Sequence, residues 1–182
     1  MPTILGLSGS LRKASLNSAL LRSAAELMPE GTTLDANGID GIPLYDGDEE
    51  EAHGIPAAVT ELKRKLREAD GLLLVTPEYN NYVPGPLKNA IDWMTRPPNE
   101  IAQHFKARPV AVIGASPGGF GTILAQNAWL PVLRTLGMRP WFGGRLMVSR
   151  ANTLIENGEL TDPATRDRLI EFLAGFIEFA RS

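Results

Sequence analysis

The sequence predicts an α/β fold in three layers, with a five-stranded parallel sheet in the order 2-1-3-4-5 between two layers of helices. Three observations predict it. Short apolar runs alternate with helix-periodic stretches along the whole chain, the pattern of a parallel sheet joined by right-handed crossovers. No repeat, linker or low-complexity stretch breaks the alternation, so residues 1–182 read as one domain, a usual length for one. The loops after the first and third apolar runs carry the densest ligand-binding chemistry, and in this strand order those two loops flank the switch point.

Thr3–Leu7 reads as the first buried strand, and the helix after it carries Leu16, Leu20, Leu21, Ala24, Leu27 and Met28 on its apolar face. Thr32–Ala36 reads as the second strand. Gly38–Gly47 is rich in turn residues, and the acidic run Asp48–Glu51 reads as a solvated loop, because a metal cage needs its oxygens spaced around an ion. Val59, Leu62 and Leu66 set a helix over Ala57–Glu68, and Gly71–Val75 is the third strand. A helix with Leu87, Ile91 and Met94 follows and is closed by Pro97, Pro98 and Asn99. Pro109–Gly114 is the fourth strand, residues 123–136 a helix, and Trp141–Val148 the fifth strand. Asp162 before Pro163 reads as a cap with proline in the first turn. Leu169, Ile170, Leu173, Phe176, Ile177 and Ala180 form the apolar stripe of the last helix. Trp93, Trp129 and Trp141 read as core residues.

Composition narrows the chemistry. There is no cysteine, which excludes disulfides, thiolate catalysis and cysteine-built zinc sites, so redox chemistry needs a bound cofactor. Two histidines, His53 and His104, are too few for a histidine metal cluster. A net charge of −3 opposes nucleic-acid binding. No signal-peptide pattern and no membrane-length apolar run is present, so the expected location is cytoplasmic, with no membrane partner.

The first loop, Ser8 to Asn17, lies between a strand and a helix N-terminus, where free N–H groups and the helix dipole favour an anion. Ser10 and Ser15 add hydroxyls, Asn17 an amide, and Arg12 a planar fork. Ser15 also reads simply as a helix cap, and Arg12 as a solvated charge. The loop lacks the Gly-Lys-Ser/Thr ending of a nucleoside-triphosphate loop and the spacing of a dinucleotide loop. Such a side-chain-rich loop suits a terminal phosphate monoester. The loop after the third strand, Thr76 to Pro86, is dense in proline, tyrosine and asparagine and suits a flat heteroaromatic ring. FMN has both parts and is expected in preference to FAD.

Gly114-Ala-Ser-Pro-Gly118 matches a hydrolase nucleophile elbow. A hydrolase is rejected because both histidines precede Ser116 and because Pro117 has no N–H for an oxyanion hole. Ser116, Gly118 and Gly119 instead read as a third wall of the flavin site, where glycine admits close backbone approach.

The pairing of Gly9-Ser-Leu-Arg12 and Ser15-x-Asn17 with Thr76-Pro-Glu-Tyr-Asn80 and Pro84-Gly-x-Leu-Lys-Asn-Ala-Ile-Asp-Trp93 resembles the NAD(P)H-dependent FMN reductases. That family includes enzymes described as quinone, chromate and azo reductases. The likeness runs from Ile4 to the tail Asn157–Pro163. It implies a flavodoxin-like fold, FMN as cofactor, NADPH or NADH as hydride donor, a small-molecule electron acceptor, and a homodimer or homotetramer. By resemblance, Ser10, Arg12, Ser15, Leu16 and Asn17 hold the phosphate, and Pro77, Glu78, Tyr79 and Asn80 border the ring. No catalytic side chain and no metal are expected, because hydride transfer needs position and electrostatics rather than a protein acid. Glu78 reads as structural, paired with a basic group of this subunit or another. Arg96 reads as a helix-end charge or a contact to nicotinamide phosphates. The chain departs from the family pattern after Asn80: members often carry an aromatic, histidine or glycine and then a small residue, usually serine, where this chain has Asn81 and Tyr82. The alternative reading is a flavodoxin-type electron carrier, for which a charge of −3 is weak. A flavin-binding module without turnover is a third.

Overall fold

The computed structural model describes all residues from Met1 to Ser182. Four strands, β1 (Thr3–Ser8), β2 (Thr33–Asn37), β3 (Gly71–Val75) and β4 (Pro109–Ala115), run parallel in the order β2-β1-β3-β4. The fifth position is held by two short pieces, β5 (Arg139–Pro140) and β6 (Met147–Val148), which pair with the two ends of β4. The expected order 2-1-3-4-5 is the one observed.

The pleat divides the core. Ile4, Leu73, Val75, Ala111 and Ile113 face one side, where α1 (Leu16–Glu26) and α7 (Pro163–Arg181) pack with Leu20, Leu21, Leu169, Phe172, Leu173, Phe176 and Ile177. Their neighbours Leu5, Leu7, Leu72, Leu74 and Val110 face the other side. There α3 (Ala57–Glu68), α4 (Gly85–Met94) and α6 (Ile123–Thr135) cover them with Leu62, Leu66, Ile91, Trp93, Trp129 and Leu133. β3 is buried along its whole length, as a central parallel strand must be. Asp162 accepts from the Thr165 N–H at 2.8 Å, so it caps α7 as expected. No helix is long and apolar enough to cross a membrane.

Three local expectations are corrected. The acidic run is not a loop: it forms α2 (Gly47–His53), capped by Asp46, with Asp48, Glu49 and Glu50 in the first turn, where the helix dipole favours them. The fifth strand is not continuous over residues 141–148. The Trp141 ring lies against Gly143, Gly144 and Gly175, where a Cβ would come within 2.6–2.8 Å of it, and it meets Phe172 edge-on at 4.7 Å. That side chain belongs to the core under α7, so the backbone after it loops away from β4. A short helix α5 (Ile101–Phe105) and the hairpin β7 (Ile155–Glu156) and β8 (Glu159–Leu160) were not expected. The hairpin turns on Asn157 and Gly158, both at positive φ.

Candidate functional site

The first loop leaves β1 at Ser8 and enters α1 at Leu16. The Ser15 hydroxyl accepts from the Ser18 N–H at 3.1 Å, so it caps the helix while its own proton stays free to donate. The N–H groups of Leu16 and Asn17 lie in the first turn, beyond the reach of any helical carbonyl. Ser10 is buried, and its hydroxyl accepts from the Arg12 N–H at 3.3 Å. Arg12 and Lys13 are exposed and enter none of the ion pairs of the protein. Residues 8–17 include no carboxylate. The loop therefore offers donors and positive charge without an opposing anion, a set that fits a phosphate monoester.

Asn17 has a second role, in the fold. Its side chain donates to the Ala115 carbonyl and accepts from the Ala115 N–H, both at 2.9 Å, and it is buried. The amide therefore ties the first loop to the end of β4. The backbone N–H of Asn17, in the first turn of α1, is left for an anion.

The loop after β3 is a tight hairpin on a buried base. Tyr79 and Tyr82 exchange backbone hydrogen bonds of 3.2 and 3.1 Å around Asn80 and Asn81, whose φ values are 51° and 62°. Two-residue hairpin turns of this kind need positive φ at both central positions, and asparagine tolerates it. Pro77 and Pro84 at its two ends are buried. Thr76 is fully buried and receives the Trp129 indole N–H at 3.0 Å.

Glu78 has no basic partner. Its carboxylate accepts from the N–H groups of Leu124 and Ala125 at 2.9 and 3.0 Å. These are the second and third amides of α6, which begins at Ile123 and whose own N-cap residue, Thr122, sits at φ 68° and makes no side-chain cap. Glu78 caps that helix from another loop. A carboxylate at a helix N-terminus is stabilised by the orphan amides and the dipole, so no cation is needed.

The third loop follows β4. Ser116 donates its N–H to Val148 and accepts from Ala151, both at 3.0 Å, and Gly118 accepts from the Arg150 N–H at 2.9 Å. These bonds brace the loop on β6 and the turn after it. Gly118, Gly119 and Phe120 are exposed.

Two glycines let the three loops meet. A Cβ on Gly9 would come within 2.6 Å of the Leu87 side chain and 3.0 Å of Pro77, so only glycine lets the first loop lie against the hairpin and α4. A Cβ on Gly114 would overlap the Thr122 hydroxyl and the Thr76 carbonyl. Thr76, Thr122 and Gly114 were not foreseen as site residues. The one trace of them in the sequence is a glycine at the end of an otherwise apolar strand. The structure thus brings the Ser10–Asn17 segment, the Pro77–Asn80 segment and the Ser116–Gly119 segment to the carboxyl ends of β1, β3 and β4.

Arg96 stands just past the end of α4. Its guanidinium pairs with Glu50 of α2 at 2.7 Å and lies 5.7 Å from the centre of the Tyr45 ring. That pairing holds the Glu50 carboxyl below the usual carboxylate range. The Tyr45 hydroxyl donates to the same carboxylate at 3.0 Å, which pushes the phenol up.

This geometry agrees with what sequence comparison finds. The pattern describing the NADPH-dependent FMN reductases matches residues 2–153. The chain belongs to that family. It is 44% identical over 165 residues to an NAD(P)H-dependent FMN reductase of Pseudomonas aeruginosa, covering 90% of this chain and 87% of the relative. It is 37% identical over 181 residues to the quinone reductase of Escherichia coli K12, covering 97% and 94%. Among solved structures it is similar to FerB, a flavoenzyme NAD(P)H:acceptor oxidoreductase of Paracoccus denitrificans. There the TM-score is 0.87 and the identity 32%, covering 100% of this chain and 98% of the other.

Proposed function

We propose that this FMN reductase family member oxidises NADPH or NADH and passes the electrons to a small acceptor, a quinone, free flavin, azo compound or metal oxyanion. The observation that carries the reading is the first loop, donor-rich and free of carboxylates, beside the proline-rich hairpin at the switch point of the sheet. FMN, when bound, supplies the redox chemistry, taking hydride from the nicotinamide and handing electrons on. The protein supplies position. Ser10, Arg12, Ser15 and the N–H groups of Leu16 and Asn17 hold the phosphate. Pro77, Tyr79 and Asn80 border the ring, Glu78 locks the hairpin to α6, and Ser116, Gly118 and Gly119 form the third wall.

Residues 1–182 act as one FMN-binding domain in this reading. It is supported by α7, beyond the family match, which places Leu169, Phe172 and Phe176 in the core with Ile113 of β4. A homodimer or homotetramer in the cytoplasm completes it. Self-association is supported by exposed Leu124 and Leu130 on α6 and by a groove of about 400 Å³ between α4 and α6, lined by Ile91, Val132 and Leu136.

The test mixes purified protein, FMN and NADPH without air or any partner protein. The flavin absorbance is expected to bleach, and NADPH-dependent turnover of a quinone to follow. A flavin that binds and stays yellow would sink the reading and leave a carrier or a binding module.

A further inference from the structure

We propose that Tyr82 determines acceptor specificity: with Tyr79 it presents two exposed phenol rings from the hairpin beside the site, and these favour acceptors with a large flat aromatic face. The inference rests on the reductase reading above.

Backbone geometry sets the direction of the pair. Tyr79 and Tyr82 exchange both of their N–H···O bonds, so they are directly opposed across an antiparallel pair and their Cβ atoms leave on the same side. The flanking residues alternate to the other side. There Glu78 reaches the first turn of α6, and Val83 packs against the core beneath the sheet. The two phenols therefore project away from the contacts that anchor the hairpin.

Exposure points the same way. Tyr79 and Tyr82 are 42% and 61% exposed, although they sit on a base whose prolines are buried. Neither hydroxyl is committed to a partner, whereas the remaining tyrosine, Tyr45, is packed on Trp93 and bonded to Glu50. An aromatic ring on a rigid turn gives up little conformational freedom when a flat molecule stacks on it. A serine in place of Tyr82 would leave that area open to any acceptor. The tyrosine adds a stacking surface that a fused-ring acceptor uses and a tetrahedral oxyanion, having no π-face, does not.

The experiment titrates oxidised, FMN-loaded protein with menadione in the absence of nicotinamide, for the wild type, Tyr82→Phe and Tyr82→Ser. KM and kcat with NADPH are then measured for menadione and for chromate. The serine variant is expected to bind menadione about 3- to 10-fold more weakly, the scale of one aromatic contact. Its menadione KM rises while kcat and the chromate KM hold, and the phenylalanine variant behaves as wild type. The proposal is overturned if Tyr82→Ser binds menadione as tightly as wild type, if both variants weaken alike, or if the chromate KM moves with that of menadione. A wild type that binds menadione without ever oxidising NADPH defeats the reductase reading instead, and the titration still reports on Tyr82.

Discussion

The first loop and the hairpin after β3 lie side by side at one edge of the sheet, yet they are held in opposite ways. Between Ser10 and Ser15 the first loop is shaped by neighbours in sequence: Ser15 accepts from the Ser18 N–H three residues on, and Ser10 holds the Arg12 N–H two residues on, while distant contacts are confined to its ends at Gly9 and Asn17. The hairpin is held from afar: Trp129 reaches Thr76 across 53 residues, and Glu78 reaches Leu124 across 46. The difference teaches which property each loop controls. Changes at the exposed residues of the first loop alter ligand affinity with little effect on the fold, whereas changes at the base of the hairpin alter the fold first.

Gly114→Ala tests the second half of that statement and carries the largest expected effect. The added methyl meets the Thr76 backbone and the Thr122 hydroxyl, neither of which can move freely. Overpacking of this kind costs about 3 kcal/mol, which lowers Tm by roughly 6–12 °C in a chain of this size. An unchanged melting curve would mean that the hairpin base is softer than its contacts indicate.

Arg12→Ala tests the first half. It removes a charge-assisted bond to the phosphate and is expected to weaken FMN binding by about 1.5–3 kcal/mol. Its thermal unfolding should match the wild type. Fluorescence titration beside a melting curve decides it, and the comparison breaks if affinity holds or if the fold is lost.

Glu78 sits where the two halves meet. Glu78→Ala removes the cap of α6 and is expected to cost about 1 kcal/mol of stability, while Glu78→Gln, which keeps an acceptor oxygen, costs less. Stopped-flow reduction of bound flavin should slow by about tenfold or less in the glutamine variant, below the ~10²–10⁴-fold loss typical of a missing general acid. A thousandfold fall with FMN still bound would make Glu78 a catalytic acid rather than a brace.

The smallest effect is expected far from both loops, at the opposite end of the sheet. His104 is buried, its Nδ1 has no partner, and burial pushes its pKa below the ordinary histidine value. The unfolded chain therefore binds a proton that the folded chain resists. Stability from this group is complete above the unfolded pKa of about 6.5 and is lost as pH falls below it. Between pH 7.5 and 5.5 the wild type should lose a few degrees of Tm that His104→Gln retains. Glu100 contributes with its own window: Lys63, which donates to it at 2.6 Å, holds its carboxyl below the usual range. The stability it adds is lost only as pH falls below about 4.3, so the two groups separate in one titration.

Much of the molecule was legible before any fold was known. The alternation of strands and helices, most helix starts and the donor set of the first loop follow from periodicity, caps and residue type, which act within a turn or two of chain. The Asn157-Gly158 turn was equally legible as a hairpin signal, but its strands are two residues each, too short to show alternation.

Tertiary structure decided the partners. Nothing near Glu50 in sequence points to Arg96, nothing near Asn17 to Ala115, and nothing near Glu78 to the first turn of α6, separations of 46, 98 and 46 residues. The break in the fifth strand belongs with them, because it depends on Trp141 settling beside Gly175 of α7. The reason is common to all four. A sequence displays a polar or bulky group that must be satisfied on burial. Which distant group or cavity satisfies it is decided only when the helices close on the sheet.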